Sequence, residues 1–369
     1  MGINENFLGG ATAAADPIYD AGSYTGGGTG TGYCGAGNTS CGTTSTAIDV
    51  IPDLFFVKSN GATGGWIVGD SYRGNFNYIS FHSNSMSGSG CFSGFPNNPT
   101  SCAPAGTPGV GNATSYGATP TSNIVAIDNS PGWWGANKSG QAYMAYGFKG
   151  SGGVSATNTD GAVTSTVYAD PNGSFSVTGY QSITGASAST YAGVGITPEF
   201  AMWKRVDANG DWFCWVDSIG KYNQLNNGAF ITDSSNWFNG NTVLQNTSAG
   251  GQYWVVYSFA SVAGVSKVGT YTGNGSTTGP TITTDFEPAF TIVKNTTSTN
   301  GTAWLVQDNV RSTSNPRQDA FFLQTNYAGG NYTNWAIDYN ATSFQLKTSD
   351  EEMNKSGDVY FYMAFAEAT

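Results

Sequence analysis

The chain has 369 residues, 52 of them glycine, with only 10% charged residues and a net charge of −11; thirteen scattered Lys and Arg leave no cationic footprint for nucleic acid. Its 10 Trp, 20 Tyr and 21 Phe supply more apolar surface than a disordered chain carries. No apolar run reaches the roughly 18–20 residues of a membrane-spanning helix.

The opening, "MGINENFLGGATAAADPIYDA", lacks the basic and apolar regions of a cleavable signal peptide. Residues 1–21 read as an extended arm whose large apolar anchors are Ile3, Phe7 and Leu8. Such an arm pairs naturally with a sheet edge on a neighbouring subunit. Beyond it, leucine is scarce, and Val, Ile, Thr and aromatics fall in short runs between Gly, Asn and Ser clusters. That pattern predicts an all-β protein.

The runs repeat. "GSYTG" at Gly22–Gly26 returns as "GTYTG" at Gly269–Gly273. Pro is followed six residues later by Lys at Pro52/Lys58, Pro198/Lys204 and Pro288/Lys294. A Trp follows each time (Trp66, Trp212, Trp304), then an Asp (Asp70, Asp217, Asp308). The repeats close alike, with "NKSGQAYMAYGF", "TSAGGQYWVVYSF" and "NKSGDVYFYMAF". Self-similarity of this kind predicts tandem units: 22–150, 174–262 and 263–369, with a linker at 151–173. Insertions near 27–47 and 84–122 lengthen the first. Strand pairs such as "FFVK…WIVGD" read as hairpins, and the whole as three jelly-roll-like β-sandwich modules.

Candidate chemistry is sparse. The sole histidine, His82 in "YISFHSN", has no nucleophile elbow beside it and reads as a turn residue. "DANGD" (Asp207–Asp211) has a calcium-loop look, but the other repeats carry no acid there, so a hairpin tip is expected. "SDEE" (Ser349–Glu352) offers paired carboxylates without a visible cleft. We therefore expect no catalytic residue, cofactor or metal. The repeated Trp is expected in the core. The Asp after it, followed by Arg73, Lys221 or Arg311, reads as an ion pair, with a bulge before Asp217. Cys34 with Cys41, and Cys91 with Cys102, bracket insertion loops and read as disulfides, Cys214 as a buried thiol. Trp133, Trp134, Trp237, Tyr332 and Trp335 sit in loop-like contexts and are the candidate glycan contacts.

The stretches "VSKVGTYTGNGSTTGP", "DFEPAFTIVK", "AWLVQDNVR" and "MNKSGDVYFYMAFAE" resemble repeat modules of tail-fibre and other virion proteins of bacteriophages, marine ones especially. The resemblance implies a lectin-like β-sandwich on the virion surface, as a short fibre or a capsid or tail decoration. Its implied partners are other virion proteins, further copies of itself, and host-surface carbohydrate. A glycan depolymerase and a secreted cellular adhesin are the alternative readings.

Overall fold

The structure is a computed structural model that describes residues 18–26, 32–34, 50–73, 79–83, 92–93, 125–127, 138–183, 191–225, 229–233, 237–244 and 250–367. It is all-β, as the sequence predicts, with short 3-10 turns as the only helical segments among the described residues. The first repeat holds β1 (Tyr19–Thr25), β2 (Gly32–Cys34), β3 (Leu54–Ser59), β4 (Ile67–Asp70), β5 (Phe92–Ser93), β6 (Val125–Ile127) and β7 (Ala142–Phe148). Next come β8 (Ala156–Asn158), β9 (Ser165–Ala169), β10 (Phe175–Gln181), β11 (Tyr191–Gly193), β12 (Phe200–Arg205), β13 (Trp212–Val216), β14 (Lys221–Gln224), β15 (Ile231–Thr232), β16 (Phe238–Asn239), β17 (Thr242–Leu244) and β18 (Tyr253–Phe259). The third repeat holds β19 (Ser266–Thr272), β20 (Thr281–Thr283), β21 (Phe290–Asn295), β22 (Trp304–Asp308), β23 (Asp319–Phe322), β24 (Gly330–Asn331), β25 (Ile337–Asn340), β26 (Ser343–Leu346) and β27 (Val359–Phe365).

Large sheets recur in one order: β1-β7-β3-β4, then β10-β18-β12-β13 within a longer sheet, then β19-β27-β21-β22. Three-stranded sheets β2-β6-β5, β11-β17-β16 and β20-β26-β25 accompany them. The opening and closing motifs resemble each other across repeats because the strands that hold them are antiparallel neighbours, Tyr24 facing Tyr143 and Tyr271 facing Tyr360. Both pairs stack at 5.0 Å. Asn354, from the closing "NKSG", donates to Asn274 and Ser276 in the opening loop. The stretch 151–173, expected as a linker, instead contributes β8 and β9, which extend the second large sheet beyond β10. β1 begins at Tyr19, so the end of the expected arm lies in the first sheet, with Ile18 and Tyr19 buried. Ile3, Phe7 and Leu8 lie outside the described residues.

Each large sheet has two apolar faces. In the second and third repeats one face packs under the repeat's own small sheet. The opposite faces of all three converge in a single core. At its centre the last Phe of each closing strand meets the other two: Phe148–Phe365 at 5.0 Å, Phe148–Phe259 at 5.9 Å and Phe259–Phe365 at 6.0 Å. The repeated tryptophans lie in this core, each at most 1% exposed. Trp66 Nε1 donates to Phe322 O of the third repeat at 2.8 Å, and Trp212 Nε1 to Ser80 O of the first at 2.7 Å. Trp304 packs on Phe200 and Phe230 of the second, completing the cycle, but its buried Nε1 has no partner among the described residues.

The expected Asp–basic pairs form in two repeats, Asp70–Arg73 and Asp308–Arg311, both at 2.5 Å. Each carboxylate also accepts a tyrosine hydroxyl from another repeat: Tyr257 to Asp70 at 2.6 Å, Tyr146 to Asp308 at 2.8 Å. The second repeat departs. β13 runs without a bulge, Lys204 facing Trp212 and Phe200 facing Val216, so Val216 takes the place of the buried Asp. Asp217 starts an exposed 3-10 turn, and Lys221 Nζ donates to Thr296 O at 2.9 Å. In the third repeat, Met363 stands where the others have Tyr146 and Tyr257, two residues before the closing Phe. Apolar residues, Val216 and Met363, thus stand at both positions of the clasp, so no carboxylate or hydroxyl is left unpaired there.

Lys58, Lys204 and Lys294 are each 0% exposed. They occupy equivalent places, pairing in register near Trp66, Trp212 and Trp304. Each Nζ donates to a carbonyl of its own hairpin loop: Gly64, Gly210 and Thr302. Lys58 and Lys204 also lie over their Trp rings at 5.7 and 5.8 Å. Burial pushes their pKa values down, Lys58 to about 7 and the other two to about 8.

Two predictions follow from this core. The unfolded chain holds lysine protons that the folded chain has released, so stability rises with pH above about 7. Urea melts at pH 7 and 9.5 should show the rise, with a smaller one in Lys58→Met; equal slopes in both proteins would remove Lys58 from the account. In the clasp, Tyr257→Phe should cost roughly 1.5–3 kcal/mol, the loss of a hydrogen bond to a buried charge. Met363→Leu should cost under about 1.5 kcal/mol, measured by the same melts.

Candidate functional site

The candidate glycan contacts fare differently. Trp133 and Trp134 lie outside the described residues, as do Cys41, Cys91 and Cys102; Cys34 lies on β2. Cys214 is a free, buried thiol, as expected. Trp237 is only 4% exposed. It packs on Trp203, Trp215 and Tyr222 at 5.3–6.0 Å and donates to Asp233 Oδ2 at 3.0 Å. The core of the second sandwich therefore claims it, and it offers no face to a ligand.

Tyr332 and Trp335 are brought together, their rings 4.5 Å apart. Trp335 ends the 3-10 turn Thr333–Trp335 that leads into β25, and Tyr332 caps its start, Trp335 N donating to Tyr332 O at 3.0 Å. Phe322, at the end of β23, meets both edge-on at 5.4–5.5 Å. Tyr327, 64% exposed, joins it at 6.3 Å. Phe322, Tyr332 and Trp335 are half-buried. The result is a group of aromatic faces that is neither core nor fully solvated.

The surrounding chain fixes this group. Tyr332 N donates to Gln318 O at 2.8 Å. Trp335 O accepts Gln307 Nε2 at 2.9 Å, and Trp335 Nε1 donates to Asp350 Oδ1 at 3.2 Å. β24 is pressed against β23 through glycine: a Cβ at Gly329 would come within 2.1 Å of the Phe321 ring, whereas one at Gly330 would first meet Tyr332 at 3.6 Å. Phe322 and Tyr327 were not marked in the sequence reading. Phe322 is hidden in the strand run "DAFF", and Tyr327 is a lone aromatic in a loop.

The other candidate chemistry resolves into structure. Asp350 holds Trp335, Glu352 Oε2 accepts Ala303 N at 2.6 Å, and Glu351 Oε1 accepts Ser298 Oγ at 2.7 Å. Burial raises the Glu352 carboxyl, while Ser298 and Lys355 lower that of Glu351. The "SDEE" cluster thus pins two loops. In "DANGD", Asp207 pairs with Arg205 at 2.7 Å across a hairpin tip. His82 Nδ1 meets Ser80 Oγ at 2.5 Å, and burial with the nearby Lys58 pushes its pKa down to about 4. Among the described residues, no group of three or more His, Cys, Asp or Glu is placed to hold a metal, and no helix is long and apolar enough to cross a membrane.

A family model described as a domain of unknown function, DUF7483, matches residues 108–369. No curated protein and no solved structure matches the chain.

The glycine contact makes a sharp contrast. Gly329→Ala should lower stability by roughly 1–3 kcal/mol through the clash with Phe321, while Gly330→Ala should stay within about 0.5 kcal/mol. Thermal melts of the two variants decide it, and equal effects would show that the close approach does not constrain this loop.

Proposed function

The chain belongs to the DUF7483 family, and we propose that it is a non-catalytic display protein of a virion surface that engages host carbohydrate through the third repeat. The observation that carries the carbohydrate reading is the half-exposed group Phe322, Tyr327, Tyr332 and Trp335. Pyranose rings have an apolar C–H face that packs on aromatic faces, and the electron-rich ring surface attracts those polarised hydrogens. Small-ligand sites combine such apolar walls with a few fixed polar groups. Here Asp350 holds the Trp335 indole in place, so the face is set before a ligand arrives, which lowers the ordering cost of binding.

Placement on a virion, with capsid or tail proteins and further copies of the chain as partners, rests on the motif resemblance. A rigid shared core suits display, since it holds exposed loops still at the particle surface. The non-catalytic reading is supported by what the carboxylates at the site do: each is engaged in fixing a loop or an indole.

Binding to immobilised oligosaccharides tests the proposal. Tyr327 is 64% exposed, so Tyr327→Ala should leave the melting transition nearly unchanged while lowering glycan retention about tenfold or more. Retention unaffected by this change would place any sugar site elsewhere. Release of shorter oligosaccharides during incubation would favour the depolymerase, and failure to find the chain in purified particles would end the virion placement.

A further inference from the structure

The aromatic group does not stand alone on the third repeat. Gly64 N, in the β3–β4 loop of the first repeat, donates to Asn326 O at 2.9 Å. Trp66 Nε1, two residues on, donates to Phe322 O at 2.8 Å. These bonds tie the backbone that carries Phe322 and Tyr327 to the first repeat. Thr63 and Tyr327, both exposed, each adjoin one end of the Gly64–Asn326 bond, so the loop tip stands beside the aromatic group.

Exposed uncharged polar residues stand on the loops that carry the aromatic group and the β3–β4 tip. Thr63, Asn326, Asn331, Thr333 and Asn334 are exposed there. Three cations near this seam are already engaged: Lys58 is buried and donates to Gly64 O, Arg311 lies 3.7 Å from the Phe321 ring centroid, paired with Asp308, and Lys347, whose N donates to Ala336 O beside Trp335, pairs with Asp338 at 3.6 Å. The ion that touches the aromatic group is the Asp350 carboxylate, on a chain of net charge −11. A sialic or uronic acid stacked here would face the like charge of Asp350.

We infer that the carbohydrate site, resting on the reading above, is bipartite and selects neutral glycans. The third repeat supplies the stacking face, the β3–β4 loop of the first supplies a polar wall through Thr63, and acidic sugars are disfavoured by the Asp350 carboxylate that holds Trp335. Binding at such a seam matches the general preference of ligand sites for the junctions between packed units.

Saturation-transfer NMR and calorimetry on the full chain test this with maltotetraose, chitotetraose and lacto-N-neotetraose as neutral probes, and tetragalacturonate and sialylated lacto-N-neotetraose as acidic ones. At least one neutral probe should bind about tenfold more tightly than either acidic one. Thr63→Arg, a change at an exposed hairpin tip, should keep the melting temperature while weakening the neutral probe and strengthening an acidic one, so that the ratio falls several-fold. Tyr327→Ala should abolish both. An acidic probe that binds the native chain as well as the neutral ones overturns the selectivity. A ratio unmoved by Thr63→Arg overturns the bipartite site, while binding that remains sensitive to Tyr327→Ala keeps the carbohydrate reading intact. Absence of binding to every probe overturns both.

Discussion

The structure depends on one constraint: each large sheet is apolar on two faces, and one repeat supplies cover for only one of them. The small sheets cover the outer faces of the second and third repeats. The inner faces have only each other, and they close on the Phe148–Phe259–Phe365 triangle. A single excised repeat would expose Trp66, Trp212 or Trp304 with its flanking aromatics, a patch far larger than soluble monomers tolerate. The repeats are therefore not beads on a string. They are three parts of one cooperative core, and the polar contacts at the seams must be satisfied within it.

That requirement explains how the seams vary. Two carry an Asp–Arg pair capped by a tyrosine from the neighbouring repeat. In the remaining seam Val216 and Met363 occupy those positions, both in the shared core. Changing only one partner would bury an unpaired carboxylate or an orphan hydroxyl, each costly. The exchange occurs on both sides at once, as it must if the seam is to remain neutral in energy. Trp304 shows the tolerance of the arrangement: its indole N–H has no partner among the described residues, yet its ring still fills the core.

Much of this was legible in the chain. The Pro–Lys–Trp spacing located the hairpins and their register, because a strand's side chains alternate and a fixed spacing fixes the face. The buried tryptophans followed from their apolar flanks. Convergence of the inner faces was not legible, since periodicity reports that a face is apolar and not what covers it. Asp217 looked like the equivalent of Asp70 because it is the nearest acid to Trp212; pairing, not proximity, gives the place to Val216. Trp237 and Trp335 both follow Asn and both precede a strand, Trp237 directly before β16 and Trp335 in a 3-10 turn two residues before β25. Trp237 O accepts Leu244 N at 2.8 Å, and its side chain turns into the core of the second repeat.

The division between fixed and variable residues also orders the repeats. Asp53, just after Pro52, accepts Gly150, Gly152 and Gly153 N–H groups at 2.8–2.9 Å and so holds the chain as it leaves the first repeat. Glu199, after Pro198, does the same for Ser261 at the exit from the second. The third repeat has Ala289 there. An acid at this position is thus tied to the crossing from one repeat to the next, and the core-facing Lys and Trp recur because the shared core demands them at each turn. What lies outside these demands is free to diverge. In the second repeat Trp237 is buried against β12, β13 and β14, whereas in the third Tyr332 and Trp335 stay half-buried. Recurring sheets around one core thus hold the frame of the fold, while the loops outside them carry the differences among the repeats.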